Sequence, residues 1–136
     1  MINIGSRVVP ALLARNLPES IRFYQGILGF RLTGCYPDQD NPTWAELTRD
    51  GVVIQFYSDP PEGTQPTPVM SGTLYLFPES VESLAAEFAG RVPFAWGPEV
   101  MDYGLREFGI RDPNGYFLAF AELAKPAIGL DQRMRP

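Results

Sequence analysis

Apolar positions along the chain change period in the same order twice. Val8 to Ala14 is a short, nearly continuous apolar run of the kind that forms a strand. From Leu17 the period lengthens. Ile21, Tyr24, Ile27 and Leu28 fall on one helical face and predict a helix over Leu17 to Leu28. Asn16, with Glu19 three residues on, forms a capping box at its start, and Gly29 stands where a left-handed residue ends it. Phe30 to Tyr36, Thr43 to Thr48 and Val52 to Tyr57 then read as strands, with Asp50-Gly51 as the hairpin between the last two.

The stretch Ser58 to Gly72 (SDPPEGTQPTPVMSG) has four prolines and no helical period, which marks a linker. Beyond it the plan returns. Thr73 to Phe77 is a strand. Glu79 to Ala89 is a helix with Val81, Leu84, Ala85 and Phe88 inward. Phe94 to Trp96, Arg106 to Arg111 and Tyr116 to Glu122 are strands. The wording repeats as well: PESI at Pro18 faces PESV at Pro78, and TRDGVVIQF at Thr48 faces IRDPNGYFLAF at Ile110. Two matches in one order and at nearly one offset predict two similar β-α-β-β-β modules, 8–57 and 73–122, within one α+β domain. The tail, 123–136, carries no strong pattern.

Composition narrows the chemistry. The 136 residues suit one ordinary domain. No run of 18 apolar residues exists, so no membrane-spanning helix is expected, and MINIGSRVVP lacks the makings of a signal peptide. The single cysteine, Cys35, cannot form an internal disulfide; a reducing cytoplasm is the expected setting, with Cys35 as a small buried hydrophobe. The net charge of −5 argues against a nucleic-acid partner and suits a cationic small ligand, or simply aids solubility. The chain has no histidine. That removes Ser-His and Cys-His nucleophile pairs, histidine bases, and the usual zinc and iron ligand sets. Acid–base chemistry would fall to Asp, Glu, Tyr, Lys or water.

The segment VVPALLARNLPESIRFYQGILGF, with Phe23-Tyr24 and Leu28-Gly29-Phe30, and the ending REFGIRDPNGYFLAF resemble the vicinal oxygen chelate superfamily: glyoxalase I, extradiol dioxygenases and bleomycin-resistance proteins. The resemblance covers roughly Val8 to Glu122 and implies paired modules forming a curved mixed sheet around a pocket. These motifs also make physical sense unaided. In RDPNG, Pro113 fixes φ, Asp112 and Asn114 bond locally, and Gly115 accepts positive φ. They speak to fold, not to chemistry.

Metal-using members of that superfamily place ligands at four points that correspond here to Val9, Gln55, Thr73 and Ala119. Only Gln55 has a useful donor, and one amide oxygen does not hold a divalent cation. The resemblance therefore implies a pocket with no metal and no cofactor, into which Ala119 faces. Glu46, Glu107 and Glu122 are the carboxylates that the strand pattern leaves for any other metal set.

Val9-Pro10-Ala11-Leu12 is similar to the start of the bleomycin-resistance branch, although Leu105 interrupts that branch's glycine-REF pattern. The likeness implies a homodimer with exchanged N-terminal arms hinged at Pro10. It also implies ligand stacking on Trp44 and Tyr103, within an acidic rim of Asp38, Asp40, Glu99 and Asp102. Trp44 has a core role as its alternative, and Trp96, beside Phe94, is read as a core aromatic. Arg106 and Glu107 have cross-sheet pairing as their plain reading.

Two functions follow. One is a non-catalytic protein that sequesters a small organic molecule, possible contacts being Trp44, Tyr57, Tyr75, Asp102, Tyr103 and Glu107. The other is a metal-independent enzyme, with Glu107, Tyr57 and Tyr75 as acid–base groups.

Overall fold

A computed structural model describes residues 1–58 and 67–124. Most of the proline-rich linker and nearly all of the tail lie outside them. The chain divides into two compact units, Met1–Pro68 and Val69–Pro136.

The first unit runs β1 (Ala11–Leu13), α1 (Leu17–Gly26), β2 (Arg31–Tyr36), β3 (Trp44–Arg49) and β4 (Val52–Tyr57). Its four strands form a mixed sheet in the order β1-β4-β3-β2, with β1 parallel to β4 and the others antiparallel. The second unit repeats the plan with β5 (Thr73–Leu76), α2 (Val81–Phe88), β6 (Phe94–Val100), β7 (Leu105–Arg111) and β8 (Phe117–Leu123), in the order β5-β8-β7-β6. The doubled β-α-β-β-β pattern is thus present, and each unit carries its own sheet.

Local signals set the helix ends. Asn16 accepts a hydrogen bond from the Glu19 amide at 3.0 Å, so α1 begins where its cap stands. Gly29 takes φ +74°, and the Arg49 guanidinium donates to the Leu28 carbonyl at 2.8 Å. That bond satisfies an acceptor left over just past the helix end. In the second unit Ser80 caps α2, which shortens the expected helix start from Glu79 to Val81.

Each helix covers one face of its own sheet. Tyr24 is fully buried and meets Phe30 and Phe56 at ring-centroid distances of 5.5 and 5.0 Å. This explains the Phe23-Tyr24 and Leu28-Gly29-Phe30 motifs as helix-on-sheet packing. Phe88, Phe108 and Phe120 do the same in the second unit, with Phe94 tilted against Phe108 at 4.8 Å.

The RDPNG turn is built as its residues require. Asp112 accepts from the Asn114 and Tyr116 amides, each at 2.9 Å, and Gly115 has φ +90°. Asp112 is buried, so removing its carboxylate strands two amides. Asp112→Ala is expected to cost ~2 kcal/mol, read as a lower urea midpoint, whereas an unchanged midpoint would show the turn holds without it.

Two expectations are corrected here. Val8 to Ala14 is strand only from Ala11 to Leu13, and Val8 is 92 % exposed. Cys35, opposite Ala45 on β2, is half-buried instead of buried.

Candidate functional site

The most developed polar cluster lies in the second unit around Glu107. This residue sits on β7, opposite Ala121 of β8 and Glu99 of β6, and is only 1 % exposed. Three aromatic side chains donate to its carboxylate. Trp96 Nε1 reaches Oε2 at 3.0 Å, Tyr75 Oη lies 3.3 and 3.2 Å from the two oxygens, and Tyr103 Oη bonds Oε1. The two phenol oxygens are 3.4 Å apart. A buried carboxylate is costly unless donors replace its water, and these three groups do so.

The tyrosines come from different places. Tyr75 projects from β5 and Tyr103 from the turn before β7. Their hydroxyls point inward, yet 43 % and 46 % of the two residues remains exposed. Phe77 stacks on Tyr75 at 6.3 Å and is exposed to a similar degree. The result is an aromatic shelf whose polar ends are fixed from beneath.

Desolvation of its hydroxyl, then hydrogen bonding to Glu107 and Tyr75, raise the Tyr103 phenol above its ordinary value near 10. A raised folded-state value means that protonated Tyr103 favours the fold below the unfolded value, and that this contribution is lost as pH climbs beyond it. Absorbance titration is expected to show one phenol, absent in Tyr103→Phe, that resists ionisation above about pH 10. Its ionisation at the ordinary value would contradict this hydrogen-bonding scheme.

Trp96 is the residue the sequence misassigned. It is half-buried, not core, and its indole lies against the backbone of Gly109. A methyl group placed on Gly109 would stand 2.3 Å from the ring. Phe117 flanks the indole at 5.8 Å. Pro93, Phe94, Ala95, Trp96, Arg111 and Phe117 together line an open groove of about 520 Å³, within the size range of small-molecule clefts.

The other expected contacts are distributed differently. Trp44 and Tyr57 belong to the first unit, where they are cross-strand partners, and the Trp44 ring lies over Gly34. Asp102 is exposed in the turn beside Tyr103, and Glu99 is exposed on β6. Asp38 binds the Asp40 and Asn41 amides of its own loop. Arg106 does not pair with Glu107; it lies 3.8 Å from Glu122, its register partner on β8.

The four positions corresponding to metal ligands carry few donors, and those are engaged elsewhere or isolated. Gln55 donates its amide to Glu46 at 3.2 Å, and Thr33 donates to the same carboxylate at 2.9 Å. Val9, two residues ahead of β1, has no donor side chain, and Thr73 begins β5 opposite Phe117. Ala119 is fully buried, between Tyr75 and Gly109 in register, so it does not line an open cavity as expected. This donor set does not suit a divalent cation. Among the described residues no three His, Cys, Asp or Glu side chains cluster as a metal site would need. No helix among them is long and apolar enough to cross a membrane.

Several solved structures share the fold. TioX from Micromonospora sp. ML1 is 20 % identical, with a TM-score of 0.69 over 86 % of this chain and 98 % of that one. TnmS3, an antibiotic binding protein from Streptomyces sp. CB03234, is 18 % identical, with a TM-score of 0.71 over 90 % and 99 %. Lactoylglutathione lyase from Agrobacterium tumefaciens is 16 % identical, with a TM-score of 0.64 over 88 % and 96 %. No curated protein sequence matches the chain. The model of the Glyoxalase/Bleomycin resistance protein/Dioxygenase superfamily matches residues 7–120, and this chain, with its two β-α-β-β-β units, belongs to that superfamily.

Proposed function

We propose that this protein binds a small aromatic molecule without a metal and sequesters it unchanged. The observation that carries the reading is the aromatic shelf of Tyr75 and Tyr103, with half-exposed rings and hydroxyls held by buried Glu107. Such a shelf is organised before a ligand arrives, so little ordering is lost on binding. Each stacked ring adds roughly 0.5 to 1.5 kcal/mol beyond area burial. Structural likeness to an antibiotic binding protein supports an antibiotic as the ligand. Trp44, Tyr57 and Asp102 remain candidate contacts of the same function, and the expected setting is cytoplasmic.

The test is a calorimetric titration in excess chelator, with planar aromatic antibiotics and metal-free bleomycin. Saturation with sub-micromolar affinity, about −8 kcal/mol or better, and recovery of unmodified ligand support sequestration. The absence of any saturable ligand in such a panel counts against it.

A second reading is favoured by one specific feature. Two phenols on one buried carboxylate form a short proton path, which a metal-independent enzyme would use with Tyr75 and Glu107 as acid–base groups. Altered product in the recovered ligand, lost in Glu107→Gln, would favour it. Binding that is flat between about pH 4 and 8 would favour sequestration.

The working form is proposed to be a homodimer with exchanged arms. Ile2 and Ile4 are 92 % and 99 % exposed, an apolar display that a second copy would cover. Full-length protein is expected to have twice the chain mass by light scattering, and a variant lacking residues 1–8 the single-chain mass. A full-length monomer would remove the dimer.

A further inference from the structure

We propose that the groove along β6 is a subsite for a planar aromatic carboxylate, with the ligand ring on Trp96 and the carboxylate on Arg111. The inference deepens the binding function proposed above by assigning a charge class to the ligand. It rests on three independent observations.

The first is the shape and chemistry of the wall. The groove is lined by Pro93, Phe94, Ala95, Trp96 and Phe117, and its one charged lining residue is Arg111. Gly109 lets the indole of Trp96 lie directly on the backbone, while Nε1 is tied to Glu107. The indole is therefore fixed in plane, which is what a stacking platform requires.

The second is that Arg111 is unspent. The repeat gives it a counterpart in Arg49, and the two arginines do different work. Arg49 donates to the Leu28 carbonyl just past the end of α1. Arg111 instead lies over the Phe117 ring, 4.6 Å from its centroid. Among the described residues its guanidinium has no hydrogen bond or ion pair. A guanidinium held over a ring by its central carbon has N–H donors left for a planar anion, which it can meet with two parallel bonds.

The third is the state of Glu107, the carboxylate bonded to Trp96. The net charge of −5 pointed to a cationic ligand, but Glu107, the buried acid beside Trp96, is fully occupied by three donors. Its two oxygens are engaged by donors of the protein itself. Arg111 is the one charged residue in the groove's lining, opposite in sign to the chain as a whole.

The probes are 2-naphthoate, the neutral 2-naphthamide and the cationic 2-naphthylmethylammonium, titrated calorimetrically in excess chelator. Naphthoate is expected to bind at least tenfold more tightly than either of the others. Arg111→Met should abolish that preference with an unchanged circular dichroism spectrum, and Arg111→Lys should keep part of it. Trp96→Phe should weaken all three probes together. Equal affinity for the probes, failure of naphthoate to bind both in chelator and after metal is added back, or a preference that survives in Arg111→Met would overturn the assignment and leave metal-free binding of other ligands standing. A preference lost in Arg111→Met but seen only with added metal would keep the assignment of Arg111 and overturn the metal-free reading.

Discussion

Gly97→Ala is expected to be the most damaging single-methyl change in the second unit. Gly97 has φ +70° within edge strand β6, and an added Cβ would stand 2.3 Å from the Glu107 carbonyl oxygen and 3.0 Å from Phe108 Cα. The atoms in the way are backbone atoms of a paired strand, so no rotamer change relieves them. The left-handed conformation itself costs roughly 1 to 2 kcal/mol for a residue with a side chain. Overpacking adds about 1 to 3 kcal/mol. A loss near 3 kcal/mol corresponds to a fall of about 1 to 3 M in urea midpoint. A midpoint within error of the parent would mean that the bulge at Gly97 is soft.

Gly109→Ala meets a Cβ distance of the same 2.3 Å, yet a different outcome is expected. Here the obstacle is the Trp96 ring, a side chain on an edge strand that can swing outward. The expected loss of stability is smaller, ~1 to 2 kcal/mol. The functional loss is larger, because the swing breaks the bond from Nε1 to Glu107 and removes the stacking platform from the groove. In a Trp44→Phe background, the remaining tryptophan emission should shift to the red and aromatic ligand affinity should fall at least tenfold, or ~1.4 kcal/mol. Parent-like emission and affinity would show that Trp96 does not depend on Gly109.

The contrast between these two glycines also shows what the sequence could reveal. The helix caps at Asn16 and Gly29 and the turn at Asp112 to Gly115 were legible because each is made by residues within a few positions of one another. The doubled module was legible because the repeat preserves wording as well as pattern. Phe94 to Trp96 was too short a reading of β6, since Gly97-Pro98 looks like a strand breaker; at a sheet edge a proline costs no ladder bond.

The site around Glu107 was only half legible. Tyr75, Tyr103 and Glu107 were all singled out, but as separate contacts. Their convergence depends on β5 pairing with β8 and β8 with β7, which brings together residues 32 positions apart. Trp96 was missed because its partners, Gly109 and Glu107, lie across the sheet on β7. The hint available was Gly109 itself, a glycine inside a strand, which often marks the close approach of another group. Ala119 illustrates the opposite failure: a small residue at a ligand position looked like open space, and it is fully covered.

The most direct measurement is a calorimetric titration of chelator-stripped protein with Zn²⁺, Ni²⁺, Mn²⁺ and Fe²⁺. Val9, Gln55, Thr73 and Ala119 offer one amide oxygen and one hydroxyl between them. No stoichiometric binding is predicted for any of the four ions, with dissociation constants weaker than about 1 mM. One ion per chain bound at micromolar affinity or tighter would contradict the proposed metal-free binding and place the protein with the metal-using members of its superfamily.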